Sequence, residues 1–269
     1  MSGPAPRDLL DTARAAAAAG AKVAERWRRH ADALCVSEKA ASDDLVSQAD
    51  HESEAAVRGV LLQQRPDDAV LGEEAGATSG STGVRWVVDP IDGTTNYLYD
   101  RPDWAVSVAA TDDSGAVLAA VVVEPAVGRV TEAYAGGGTW AQGQRMPPLA
   151  QTDLSRALVE LNLGLPSQRP LAGRLLDALI PCVRDVRRGG SAASALAQVA
   201  TGRADAAWLP GLQPWDCAAG VLLVREAGGA VGDLTGPTGD RVPASGDVLA
   251  APTALWDPLL SLLRPIYIR

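Results

Sequence analysis

The sequence predicts an α+β first half running into an α/β second half. Three observations carry this: two amphipathic helical stretches precede a run of alternating apolar strands, strands and helices alternate from about residue 150, and 47% of the 269 residues are hydrophobic, enough for a sizeable core. The division falls between an N-terminal α+β lobe, residues 1–149, and a C-terminal α/β lobe, residues 150–269. Phe is absent while Gly (27) and Trp (7) are plentiful, so the core must be built from Val, Leu, Ala and Trp.

Taken in order, Arg7 to about His30 reads as an Ala-rich helix with Leu9, Leu10, Ala13, Ala17, Val23 and Trp27 on one side. Ser37 to Asp44 is polar and suits an exposed loop, whose Lys39 either closes over an anion or is a solvated surface lysine. Asp50 and Glu54 open a second helix, which Pro66 closes, and Ala69-Val70-Leu71 is a short strand into Gly72-Glu73-Glu74. Gly76 to Gly83 reads as a flexible connection. Val84 to Val88 is the next strand, and Trp104 to Thr111 with Ala116 to Glu124 forms a hairpin across Asp112-Asp113-Ser114-Gly115. Val130 to Tyr134 adds another strand, giving two helices against an antiparallel sheet. In the second half, strands at 157–161, 183–186, 204–209, 230–233 and 248–251 are interleaved with helices beginning near Arg169, Ser191, Trp215 and the C-terminal segment.

The chemistry collects around Asp89-Pro90-Ile91-Asp92-Gly93-Thr94-Thr95-Asn96. Pro90 lacks an amide donor and should end regular pairing, leaving two carboxylates and the Ile91 carbonyl on a tight turn, which are hard oxygen ligands of the kind Mg²⁺ takes. Gly93 lets the backbone approach a ligand, and Thr94, Thr95 and Asn96 suit a helix start facing an anion. The alternative is a capped turn in which both Asp residues only bond backbone amides. Glu73 follows a strand and Asp216, in Trp215-Asp216-Cys217, opens a helix; each is also ordinary for an exposed turn or a first-turn acid. Together the four carboxylates reach the ligand count of two divalent cations. Cys217 invites a nucleophile reading against that of a small buried helix residue, and Trp140 or Trp208 a base-stacking reading against that of core.

Composition narrows the partners. A formal net charge of −9 argues against nucleic-acid or anionic-membrane surfaces, so an anionic substrate needs local help from a metal. Cys35, Cys182 and Cys217 are odd in number and widely spaced, which suggests neither a disulfide framework nor a zinc cluster and fits a reducing cytoplasm. The Ala13 to Ala21 run is interrupted by Arg14 and too weakly apolar for a signal segment or membrane span.

Five ordered stretches resemble the signatures of the inositol monophosphatase family: Asp44-Leu-Val-Ser-Gln-Ala-Asp50, Gly72-Glu-Glu74, Asp89-Pro-Ile-Asp-Gly-Thr-Thr-Asn96, Gly189-Gly-Ser-Ala-Ala193, and Trp215-Asp-Cys-Ala-Ala-Gly220 with Glu226-Ala-Gly-Gly229. The resemblance implies a layered α/β/α/β/α sandwich and a Mg²⁺-dependent phosphomonoesterase, homodimeric and sensitive to Li⁺, using two or three Mg²⁺ ions on a small phosphorylated alcohol. It implies Glu73, Asp89 and the Ile91 carbonyl as ligands of one metal, and Asp89, Asp92 and Asp216 as ligands of the second. Thr94 and Glu73 would orient the attacking water, and Asp50 would hold the Thr94 hydroxyl. Lys39, Gly93, Thr94, Gly190, Ser191, Ala192 and Leu209 would face the substrate. Leu209 departs from the pattern, because inositol-specific members carry a hydroxyl-gripping glutamate seven residues before the Trp-Asp aspartate, and leucine cannot accept hydroxyl hydrogen bonds. The substrate is therefore open among cyclitol, sugar, amino-alcohol and nucleoside phosphates, and a catalytically silent binding or regulatory protein on the same fold is the rival reading.

Overall fold

The computed structural model describes residues 4–29, 36–38, 45–165 and 167–267; Lys39, Asp44, His30 and Cys35 lie outside the described residues. Helix α1 (Pro6–Arg28) opens on a proline, whose missing amide would be unpaired in any first turn. Its buried positions Leu9, Leu10, Ala13, Ala16, Ala17, Ala21 and Ala24 recur at helical spacing. Strands β1 (Val36–Glu38) and β2 (Leu45–Ser47) pair antiparallel and lead into α2 (Gln48–Gln64), which lies along α1.

The larger sheet contains β3 (Ala69–Gly72), β4 (Gly76–Thr78), β5 (Arg85–Asp92), β6 (Ala105–Thr111), β7 (Val117–Glu124), β8 (Arg129–Tyr134), β9 (Thr139–Ala141) and β10 (Gln144–Arg145), in the order β10-β9-β8-β7-β6-β5-β3-β4. It is mixed rather than wholly antiparallel, since β3 and β5 run parallel. The reason is β4, which occupies part of the expected flexible connection: it folds back on β3 at the sheet's outer edge, and the chain then crosses to the other side of β3. Between β5 and β6 lies the short helix α3 (Thr94–Leu98).

The smaller sheet contains β11 (Leu158–Leu161), β12 (Asp185–Arg187), β13 (Ala206–Leu209), β14 (Ala230–Asp233), β15 (Gly236–Pro237) and β16 (Val248–Ala251), ordered β12-β11-β13-β16-β14-β15. Between these strands run α4 (Ala172–Leu179), α5 (Ala192–Ala200) and α6 (Pro214–Glu226), and α7 (Thr253–Tyr267) closes the chain. Helices α1 and α2 cover the outer face of the larger sheet, α5 and α6 fill the space between the sheets, and α4 and α7 cover the outer face of the smaller one. This is the layered α/β/α/β/α sandwich.

Strand alternation feeds the layers. On β5, Trp86 and Val88 enter the outer core under α1, while Val87 enters the middle core with Leu196 of α5 and Leu222 of α6. On β13, Ala207 and Leu209 face the middle layer and Trp208 faces the outer core with Leu249, Leu255 and Trp256. Trp208 is fully buried, edge-on to Tyr267 at 5.1 Å. A buried Trp withdraws roughly 150–250 Å² from water, about 4–6 kcal/mol at ~25 cal/mol/Å², so it replaces the missing Phe as core rather than serving as a stacking platform. Trp140 lies on β9, separated from β5 by β8, β7 and β6.

One irregularity in β5 decides what the site can be. Pairing continues past Pro90, but the register shifts between Asp89 opposite Ser107 and Asp92 opposite Ala105, so three residue steps on β5 match two on β6. In an unbroken strand residues three apart point to opposite faces; the extra residue resets the alternation. Asp89 thus follows Val87 toward the middle layer, Ile91 turns to the outer core, and Asp92 returns to the middle layer, where its side chain meets α5. Pro90 does not end the strand, because the bulge absorbs its missing donor.

Candidate active site

The bulge carries Asp89 and Asp92, and the first turn of α6 carries Asp216; one carboxylate oxygen of each lies within 4.8 Å of the others. Asp216 is fixed by a capping box, in which its Oδ2 accepts from the Gln213 amide at 2.7 Å. Asp92 is fixed by α5: its Oδ2 accepts from the Ser191 hydroxyl (2.7 Å) and the Ala193 amide (2.5 Å), and Ser191 caps the same helix through the Ser194 amide. Asp89 Oδ1 accepts the Ile91 amide at 3.1 Å, and among the described residues its buried Oδ2 has no hydrogen-bond donor.

Burial pushes all three carboxyls up. Asp92 rises to about 7 through burial and the Asp216 charge, against the pull of Ser191 and Ala193, and burial lifts Asp216 to about 6. Asp89 is raised well above the usual carboxylate range, first by burial and then by Glu73, Asp92, Asp216 and Asp50. Carboxylates held so close, with an orphaned buried oxygen among them, need either protons or cations. The converging groups are carboxylate oxygens, a set that suits a hard divalent ion.

Glu73 stands half-buried at the end of β3; its charge is the largest electrostatic influence on Asp89, although its carboxylate is outside the three-residue cluster. Asp50, buried in the first turn of α2, also acts on Asp89 by its charge. The Thr94 hydroxyl donates to the Ile91 carbonyl at 3.2 Å.

Gly93 caps α3 with φ +95°, and a Cβ there would sit 3.0 Å from the Asp103 carbonyl and 3.3 Å from Ser191 Cβ. The turn after β5 and the start of α5 are therefore in close contact. Gly190, also left-handed at φ +96°, leaves room for Asn96, whose Nδ2 donates to the carbonyls of Asp103 (2.6 Å) and Gly189 (2.7 Å). Asn96 joins the bulge region to the Gly189–Ser191 loop, a role the sequence reading missed; its only signal was an amide side chain inside a short helix. Gly190, Ser191, Ala192 and Leu209 line a crevice with Glu160 and Asn162 that is too tight here to admit a water molecule.

Cys217 is fully buried and its thiol is pushed well above its ordinary value by burial and by Asp216 and Asp92, which removes the nucleophile reading. His51 is exposed and lies 3.5 Å from Glu74. No helix among the described residues is long and apolar enough to cross a membrane.

Residues 6–266 match the model of the inositol monophosphatase family. The chain is 41% identical over 238 residues to the inositol-1-monophosphatase of Mycobacterium leprae, covering 84% of this chain and 80% of that protein. It is 34% identical to the Nus factor SuhB of Haemophilus influenzae, over 94% of each. The crystal structure of the extragenic suppressor protein suhB from Bartonella henselae superposes with a TM-score of 0.90 at 31% identity, covering 96% of this chain and 98% of that one. The acidic centre thus sits in a chain that belongs to the inositol monophosphatase family, enzymes of the phosphoric monoester hydrolase class.

Proposed function

We propose that the protein hydrolyses a small phosphorylated alcohol, a cyclitol, sugar, amino-alcohol or nucleoside phosphate, with two or three Mg²⁺ ions held by Glu73, Asp89, the Ile91 carbonyl, Asp92 and Asp216. The observation that carries this reading is the convergence of three carboxylates, Asp89 and Asp92 buried and Asp216 partly so, with Asp89 Oδ2 lacking a donor among the described residues. Bound Mg²⁺ would lower the pKa of a water and offset the charge that builds on the phosphate. The chain's own residues do the rest. Ser191 and the Ala193 amide aim Asp92 and the capping box aims Asp216, while Glu73 with Thr94 would orient the attacking water. Asp50 would hold the Thr94 hydroxyl once that hydroxyl leaves the Ile91 carbonyl, to which it donates here. Gly93 and the Thr94 amide contact the phosphate, and Gly190, Ser191, Ala192 and Leu209 bound the alcohol, with Lys39 contributing from outside the described residues. The two lobes, 1–149 and 150–269, would share the centre, the second supplying Asp216.

Homodimerisation, a cytoplasmic setting and inhibition by Li⁺ belong to the same reading. Leu209 disfavours an inositol phosphate, since a buried hydroxyl loses its acceptor there. Phosphate release from inositol, sugar, histidinol and 3′- and 5′-nucleotide phosphates, with Mg²⁺ and with EDTA, tests the proposal. Metal-dependent release from one ester well above the rest is expected; no release from any would remove it.

A second reading, a regulatory protein on the same fold, draws on the relative named Nus factor SuhB. The convergence of Asp89, Asp92 and Asp216 weighs against a silent site. Asp92→Asn separates the two: it should abolish hydrolysis, whereas a purely regulatory role would survive it.

A further inference from the structure

Helix α2 carries a second buried carboxylate, Glu54, one turn beyond Asp50. Glu54 is 1% exposed and is not a member of the Asp89, Asp92 and Asp216 cluster. Its Oε2 accepts the Glu74 amide at 2.7 Å, and its Oε1 accepts the Ala75 amide at 3.1 Å and Arg58 Nε at 2.6 Å. Arg58 spans one helical turn to reach it and also donates to the Gly76 carbonyl. Gly72 lies so near that a Cβ there would fall 2.3 Å from Glu54 Oε1. One carboxylate and its arginine therefore grip the backbone on both sides of Glu73: Gly72 is packed face-on, and the next residues are held by hydrogen bonds.

We infer that Glu54 is a positioning residue that presents Glu73 to the metal centre by folding the Gly72–Gly76 turn. This rests on the metal reading proposed above. The geometry leaves the Glu73 backbone little choice. Its own amide donates to the Val88 carbonyl at 3.3 Å, one residue before Asp89, so the turn is tied to β5 on one side and to α2 on the other. Glu74 is turned to His51 on α2 at 3.5 Å. Buried hydrogen bonds to a charged acceptor are the strong kind, and Arg58 keeps that charge paired. Residues that orient a ligand without touching the ion typically change metal affinity by roughly 10–100-fold when removed.

The test is a calorimetric Mg²⁺ titration of the full-length wild type, Glu54→Gln and Leu61→Ala, the last a buried core change on the same helix that controls for lost stability. Hydrogen exchange at the amides of residues 72–75 is measured alongside. Glu54→Gln should weaken Mg²⁺ binding by roughly ten- to a hundredfold and speed exchange in the turn. Leu61→Ala should stay within about twofold of wild type, because Leu61 packs in the outer core two helical turns beyond Glu54. If Glu54→Gln does not fold, Glu54→Asp keeps the charge for Arg58 but cannot reach both amides, and the same result is expected of it. Mg²⁺ affinity within about twofold of wild type in the Glu54 variant, or an equal loss in Leu61→Ala, would overturn the inference and leave the metal reading standing. A wild type that takes up no Mg²⁺ would overturn both.

Discussion

Two kinds of buried carboxylate flank the paired strands β3 and β5, Asp68 in the turn before β3 and Asp89 on β5, and they are built in opposite ways. Asp68 is 3% exposed and saturated: Arg65 donates at 2.7 Å, the Thr82 hydroxyl at 2.5 Å and Trp86 Nε1 at 3.0 Å. Among the described residues Asp89, 1% exposed, has a backbone donor on one oxygen and none on the other, and it faces other carboxylates. Burial alone therefore says nothing about function. What separates a structural acid from a ligand is whether the fold supplies its donors or withholds them.

Substitution should push the two in opposite directions. Asp89→Asn has the largest expected effect: kcat/KM for the metal-dependent reaction falls by roughly 10³-fold or more, since the proposed bridging ligand is lost. The metal-free variant should melt no lower than wild type, because an uncompensated buried charge has been removed. Asp68→Asn should instead lower stability by about 1.5–3 kcal/mol, read as a drop in the denaturation midpoint, while Mg²⁺-saturated activity per folded molecule is kept. A stable Asp68→Asn or a fully active Asp89→Asn would break the comparison.

Acidity sharpens it further. In the folded, metal-free protein Asp92 titrates at about 7 and Asp216 at about 6, against ~3.9 for an unfolded aspartate. Raised values mean that folding takes up protons, so this contribution is full below pH ~4 and is lost as pH rises toward 7. Metal-free Tm should fall across that window. The Tm gain on adding Mg²⁺ should grow over the same window, as the carboxylates deprotonate and accept the ion. A Mg²⁺-dependent gain that is flat from pH 5 to pH 8 would contradict the assignment. The smallest effect concerns Cys217: native protein should resist alkylation at this buried thiol, and Cys217→Ala should retain activity within about threefold, as expected for a small core residue and not for a nucleophile.

Much of this contrast was legible in the sequence, because the acids lie in short local motifs. Asp89, Asp92 and Gly93 share one turn and Asp216 opens one helix, so spacing alone marks them as candidates. Spacing did not reveal the bulge, since a three-residue separation in a strand reads as opposite faces until the register on β6 is known. The face of Trp208 was open for the same reason: period two gives alternation but not its phase. Strand β4 was hidden because its three residues, Gly-Ala-Thr, pair by backbone alone in a glycine-rich stretch. Asn96 and Glu54 were missed because their partners, Gly189 for one and the amides of Glu74 and Ala75 for the other, come from elsewhere in the fold.

The most direct measurement is a Mg²⁺ titration by calorimetry at pH 7.5 on wild type and Asp89→Asn side by side. The account predicts saturable Mg²⁺ binding in the wild type and its loss in the variant, with the variant still folded. Equal binding in both would contradict the claim that the donor-starved carboxylates of the β5 bulge are the metal centre.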